Sequence, residues 1–245
     1  RRSLLDCLTL TPVFLPEFKT ELKSAVDACL NSSAKGDCSY GRTGSIAEWD
    51  VSRITDMSWI FGGAKSFNTD ISKWFVSNVK DMHGMFSDAS MFNDDISKWD
   101  VSSVTDMSSM FISATSFDCD ISRWDVSNVQ DMHDMFWDAS SFNSDISNWD
   151  VSRVTNMSSM FMGGLLFRRD ISSWDVSSVK DMNAMFFAAS MFNIDISQWD
   201  VSGVISMDQM FLDAARFEQE LCGAAWVNTT ASKRQMFIGS HGAIS

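Results

Sequence analysis

Trp49, Trp74, Trp99, Trp124, Trp149, Trp174 and Trp199 recur every 25 residues, and Phe61, Phe86, Phe111, Phe136, Phe161, Phe186 and Phe211 keep the same step. Seven copies of one unit therefore run over residues 46–220. A unit this short cannot bury its apolar face alone and must stack on a neighbour, so the period predicts an extended array rather than a single globular core. Residues 1–45 and 221–245 stand outside the period and read as an N-terminal helical cap and a C-terminal cap with a tail.

Within one copy Val79, Met82, Met85, Phe86, Ala89 and Phe92 follow steps of three and four. At 100° per residue they fill an arc of about 140°, which predicts a short helix with one buried face. Ser77 stands where an N-cap would, and Asp81 lies where a helix dipole favours negative charge. Asp70-Ile71-Ser72 and Trp74 to Val76 read as short β-compatible runs. Ile71 and Trp74 differ in parity, so a bend or bulge separates them if both face inward. In the first cap, Leu15, Phe18, Leu22, Val26 and Cys29 or Leu30 follow Pro16-Glu17 at helical spacing, predicting a helix over about residues 16–30 that covers the open end of the array. Beyond Glu220, Leu221-Cys222-Gly223 starts another rung, Trp226 falls out of step, and residues 233–245 carry no period.

The unit Trp99-Asp100-Val101-Ser102, Val104-Thr105-Asp106-Met107, Met110-Phe111, Ala114, Phe117, Asp120-Ile121-Ser122 resembles the repeat of the BspA-like or DUF285 group of leucine-rich-repeat-like surface proteins. With the period, the resemblance implies an α/β fold: a seven-rung leucine-rich-repeat-like solenoid with short parallel strands and short helices between non-repeating caps. Each rung offers Ile, Trp, Val, Met, Phe and Ala to a continuous core, and seven rungs at about 4.8 Å give a body about 34 Å long. The resemblance implies recognition or scaffolding at a cell surface and carries no catalytic residue across.

The formal charge of −13 argues against nucleic acid, whose phosphates need clustered Lys and Arg, and against an anionic membrane surface. No apolar run approaches the roughly 20 residues of a membrane span. The opening Arg1-Arg2 reads as a processed or trimmed start. Of Cys7, Cys29, Cys38, Cys119 and Cys222, three crowd the first 38 residues, where a cap needs a staple. A Cys29–Cys38 disulfide in an oxidising compartment is the favoured reading: extracellular, cell surface or organelle lumen. Asn31, Asn156 and Asn228 carry Asn-x-Ser/Thr triplets. Asn156 sits in a column where five other copies have Asp, which leaves Asn31 and Asn228 as glycan carriers.

Three Asp columns, represented by Asp70, Asp100 and Asp106, read as turn and cap residues bonding backbone N–H groups. Calcium repeats would show denser Gly-Asp spacing. His83 and His133 occupy equivalent positions two rungs, or about 10 Å, apart, with no nucleophile at a fixed offset from both. No Cys/His set has zinc-ligand spacing, and no phosphate loop occurs, so neither an enzyme nor a cofactor is expected. Repeated Trp beside Ile and Val reads as interior packing rather than a sugar track. The irregular Thr positions disfavour an ice-binding face.

One further column reads Gly62, Ser87, Ile112, Trp137, Met162, Phe187, Leu212. On a helix it lies near 80° from the Val column, outside the core arc, and predicts an outward apolar ridge about 20 Å long. Ile112, Trp137, Met162, Phe187 and Leu212 are therefore the expected contact for a protein partner on a convex helical face. The fifth copy departs most, and its Arg168-Arg169 pair is a second expected contact, for an acidic partner. The functional expectation is a non-catalytic interaction or scaffolding protein, at a cell surface or as an accessory subunit. An adhesin-like glycan binder is the alternative.

Overall fold

A computed structural model describes residues 13–39, 41 and 43–245; Cys7 and the Arg1-Arg2 start lie outside them. Helix α1 spans Lys19–Ser32. It starts later than its apolar spacing predicts because Phe18 is extended, with φ −134° and ψ 151°, and Glu17 donates its backbone N–H to the Glu21 carboxylate at 2.9 Å. Leu22, Val26 and Cys29 form its buried stripe, while Lys19 Nζ reaches Asp56 and Ser58 of the first copy. A disulfide joins Cys29 to Cys38 with 5.5 Å between Cα atoms, closing the loop after α1. A 3-10 turn over Ile46–Glu48 leads into the copies.

Each copy hydrogen-bonds to the next. Single parallel bridges link Asp56, Asp81, Asp106, Asp131, Asn156, Asp181, Ser206 and Ser232 in one file. The expected short helices are absent. The residues from Met82 to Ala89 form a chain of turns in which Met85 donates to Met82 O, Ser87 to Gly84 O and Ala89 to Phe86 O. The intervening N–H groups of Met82, Gly84, Phe86 and Asp88 reach instead into the next copy, to the carbonyls of Asp106, Ser108, Met110 and Ile112. A helix sends every N–H back four residues within its own segment, so this alternation excludes one.

The apolar steps of three that mimic a helical face are the first and last residues of consecutive turns. Ile71 and Trp74, Val76 and Val79, Met82 and Met85, Phe86 and Ala89, Ala89 and Phe92 each close such a turn, with both ends inward. The parity problem between Ile71 and Trp74 is solved by a turn, not a bulge. The third residues of the Met82–Met85 and Phe86–Ala89 turns, Gly84 and Asp88, have φ of 59° and 58°, as type II turns require. Equivalent positions in later copies hold non-glycine residues at positive φ, such as Ser109 and Asp134 at 58° and 57°. Tertiary stacking here overrides local preference. The expected short strands shrink to the single bridges, because only one residue per copy extends beside its neighbour.

The core is a set of files along the stack. Phe61, Phe86, Phe111, Phe136, Phe161, Phe186 and Phe211 stack on one another at 5.5 to 5.7 Å. Each also lies face to face with the second Phe of its copy, as Phe136 does on Phe142 at 3.8 Å. The Trp file is interior. Trp99 Nε1 donates to Ile71 O at 3.2 Å and Trp124 Nε1 to Ile96 O at 3.1 Å, so each indole ties its copy to the preceding one.

The C-terminal segment continues the stack, contrary to the expectation from its broken period. Helix α2, Ala224–Asn228, absorbs extra residues and returns Trp226 to the Trp file, where its Nε1 donates to Ile196 O at 3.0 Å. Ser232 bridges Ser206, and Phe237 stacks on Phe211 at 5.6 Å. Residues 232–238 therefore form a partial eighth rung, one residue out of phase. The chain ends with β1, Glu220–Leu221, parallel to β2, Ala243–Ile244.

Candidate interaction face

The turn row of each copy presents two outward positions, one on either side of the buried Met-Phe pair. The first gives a polar file in which Ser58, Ser108 and Asp208 are covered by their neighbours, His83, His133, Ser158 and Asn183 are half-buried, and Arg234 is exposed. The second gives the apolar file of Ile112, Trp137, Met162, Phe187 and Leu212, which Ile238 extends by a rung that the sequence period hides. At a spacing of about 4.8 Å, neighbours in one file cover each other's flanks. The five central side chains are half-buried rather than bare, and Ile238, on the eighth rung, is 54% exposed. The ridge therefore exists as a file, but it stands on turns rather than on a convex helical face. It is also less prominent than the helical geometry predicts.

Trp59 completes the leading end. It is 44% exposed, and its indole lies across two glycines: a Cβ on Gly62 or on Gly84 would come within 2.7 Å of the ring. The aromatic surface thus resumes where the apolar file itself lacks a side chain. Nothing in the 25-residue register marks Trp59, because its own position holds Gly84, Ser109 and Asp134 in later copies.

Arg168 and Arg169 are not part of this face. They follow the buried Phe167 and sit on a ladder in which Asn68, Asn93 and Asp118 side chains accept the backbone N–H of Asn93, Asp118 and Asn143. Arg169 donates through Nε to Asn143 O and lines a depression of about 410 Å³ shared with Asp118, Asp120 and Asp145. Acidic groups of the same chain already face its charge, so it is a poor anchor for an acidic partner. Arg168 is exposed and replaces a ladder amide with a side chain that has no acceptor.

The three carboxylate files are turn ladders. Asp70, Asp100 and Asp106 accept the backbone N–H of Ser72, Ser102 and Ser108 at 2.9, 3.1 and 2.8 Å, and their counterparts repeat the bond. In Asp70, Asp95 and Asp120 the serine hydroxyl and then its N–H hold the carboxyl below its ordinary 3.8. No group of three or more His, Cys, Asp or Glu converges as a metal site among the described residues. Asn31 is exposed near the end of α1, and Asn228 is exposed at the end of α2 with its amide donating to Ala224 O. Asn156 is half-buried in the bridge file, its Oδ1 accepting from Ser158 N–H.

The disulfide closes a short loop, with nine residues of sequence separation, and the cap it staples touches the core through Leu22 and Val26. Loop-closure entropy gives it a worth of about 2–3 kcal/mol. Cys38→Ser should lower the melting temperature by several degrees, and non-reducing peptide mapping of the unmodified chain should recover Cys29 linked to Cys38.

A family model described as a Mycoplasma protein of unknown function, DUF285, matches residues 32–149 and again residues 132–243. No curated protein and no solved structure matches the chain.

Proposed function

The chain belongs to the DUF285 family, and on that premise we propose that it is a non-catalytic, leucine-rich-repeat-like solenoid scaffold whose apolar file seats a protein partner. The observation that carries this reading is the continuous file of Ile112, Trp137, Met162, Phe187 and Leu212, bounded by the exposed Trp59 and Ile238. It lies on backbone that the inter-copy hydrogen bonds hold rigid. A rigid row of aromatic and aliphatic side chains buries apolar area against a partner at low entropic cost, and Trp is the residue most enriched among interface anchors. The paired cap cysteines favour an extracellular, surface or lumenal setting for that partner.

The test is retention of partners from the native source on immobilised protein, comparing the unmodified chain with Trp137→Ser/Phe187→Ser. Both side chains are half-buried, so the double variant should melt a few degrees lower and stay folded, while retention falls by about tenfold or more. Unchanged retention by the folded variant would remove the file as the contact. Loss of glycan retention in the same variant, with protein partners unaffected, would favour the adhesin-like alternative.

A further inference from the structure

We propose that His83 and His133 together bind one divalent transition-metal ion of the Zn²⁺, Cu²⁺ or Ni²⁺ type on the polar outward file. The two residues stand two copies apart, which the rung spacing alone would place at about 10 Å. Their rings lean towards each other instead, with centroids 6.3 Å apart and planes at 40°. The residue between them makes this approach possible: Ser108 is small and buried, and its hydroxyl, which donates to Asp106, also meets His83.

Two imidazoles on one ion have centroids about 6.3 Å apart when collinear and about 5 Å apart at the tetrahedral angle, from metal–nitrogen bonds of about 2.0 Å and the ring radii. A small side-chain rotation closes the remaining gap. The second ring nitrogens are already committed in the manner of ligating histidines. His133 Nδ1 lies 2.8 Å from Asp131 Oδ1, and His83 Nδ1 lies 2.7 Å from Ser108 Oγ, which is itself bonded to Asp106. With Nδ1–H donating in both rings, the lone pair that remains on each is that of Nε2, and such carboxylate-backed imidazoles are the usual metal ligands.

The surroundings favour a cation. Asp131, Asp106 and Asp134 lie around the pair, and Asp134 is half-buried beside His133. Trp59 meets His83 edge-on at 5.3 Å and walls one side. No third His, Cys, Asp or Glu converges on the pair among the described residues, so water fills the remaining positions. The site accordingly suits borderline ions that take imidazole and excludes Mg²⁺ and Ca²⁺, which need oxygen cages.

The test is calorimetric titration of the full chain with ZnCl₂, CuCl₂ and NiCl₂, with MgCl₂ and CaCl₂ as controls. One ion per chain is expected for the first three, with no heat from the last two and a melting temperature that rises with ZnCl₂. His133→Asn introduces the residue that the same file holds natively at Asn183, so the fold tolerates it. It should weaken binding by about tenfold or more, as should His83→Asn, while His241→Asn changes nothing. Binding that survives both single variants, or no binding of any of the three ions at millimolar concentration, overturns the proposal.

Discussion

Phe136→Ala should destabilise the protein by about 3–5 kcal/mol, the cost of emptying a buried aromatic site that neighbours cannot refill. Its ring is 1% exposed and touches four others: Phe111 and Phe161 above and below at 5.7 Å, Phe142 face to face at 3.8 Å, and Trp149 at 6.4 Å. Removing it cuts both the longitudinal stack and the contact within the copy. In a stacked array, where each copy is held by its neighbours, such a lesion in the middle also weakens the coupling between the halves. The denaturant transition should move to lower concentration and broaden, with hydrogen exchange rising first around the fourth copy. Phe237→Ala supplies the contrast. Phe237 is half-buried and, among the described residues, stacks on Phe211 and Phe217 alone, at 5.6 and 6.4 Å, so its loss should loosen the eighth rung and cost much less. Equal losses in the two variants would show that stability is not carried by the longitudinal stack.

That contrast follows from what a period can and cannot reveal. The inward residues were legible because Ile, Trp, Val, Met and Phe return at fixed positions, and burying one copy's face requires the next copy's equivalent face. The local conformation was not legible. Val79, Met82, Met85, Phe86, Ala89 and Phe92 satisfy a helical wheel and a chain of turns equally well, since both place residues three apart on one side. What decides between them is where the N–H groups of Met82, Gly84, Phe86 and Asp88 find acceptors, and those acceptors lie 24 residues along the chain. Serine, aspartate and asparagine between the apolar positions were the available signal, because these residues favour turns over helix interiors.

The candidate sites failed to read through for related reasons. The eighth rung was hidden because α2 adds residues ahead of Trp226 and breaks the register that a fixed interval detects. Trp59 was missed because its importance comes from the glycines it covers, Gly62 and Gly84, and not from its own file. The approach of His83 to His133 depends on the small Ser108 between them. That pattern belongs to a two-copy alternation: His83, His133 and Asn183 in even copies, Ser58, Ser108 and Ser158 in odd ones. A 25-residue comparison averages such an alternation away.

Acid should unfold the protein in a narrow range below about pH 4, and the carboxylate ladders set the direction. In Asp50, Asp70, Asp95, Asp120, Asp150 and Asp200 the hydroxyl of the following serine, then its backbone N–H, holds the carboxyl below 3.8. In Asp145, Asp170 and Asp195 the backbone N–H leads and the hydroxyl follows. A carboxylate depressed in the folded state binds fewer protons there than in the unfolded chain. Its contribution is therefore complete above the unfolded value of about 3.9 and is lost as pH falls through the lower folded value. Each group is largely exposed and contributes little alone, but the bonds recur in every copy, so their protonation should act in concert. Asp134 has the opposite sign, since burial raises its carboxyl, and Asp134→Asn should not weaken the fold at neutral pH. Melting temperature measured from pH 7 to pH 2 should stay level until about pH 4 and then fall steeply. Asparagine separates the charge from the turn, because Asn156 already accepts Ser158 N–H in one of these files at 3.1 Å. Replacing Asp95, Asp120, Asp145 and Asp170 together with Asn should keep the fold at neutral pH and shift the acid transition to lower pH. An acid transition that stays in place in that variant would assign acid sensitivity to groups outside the ladders.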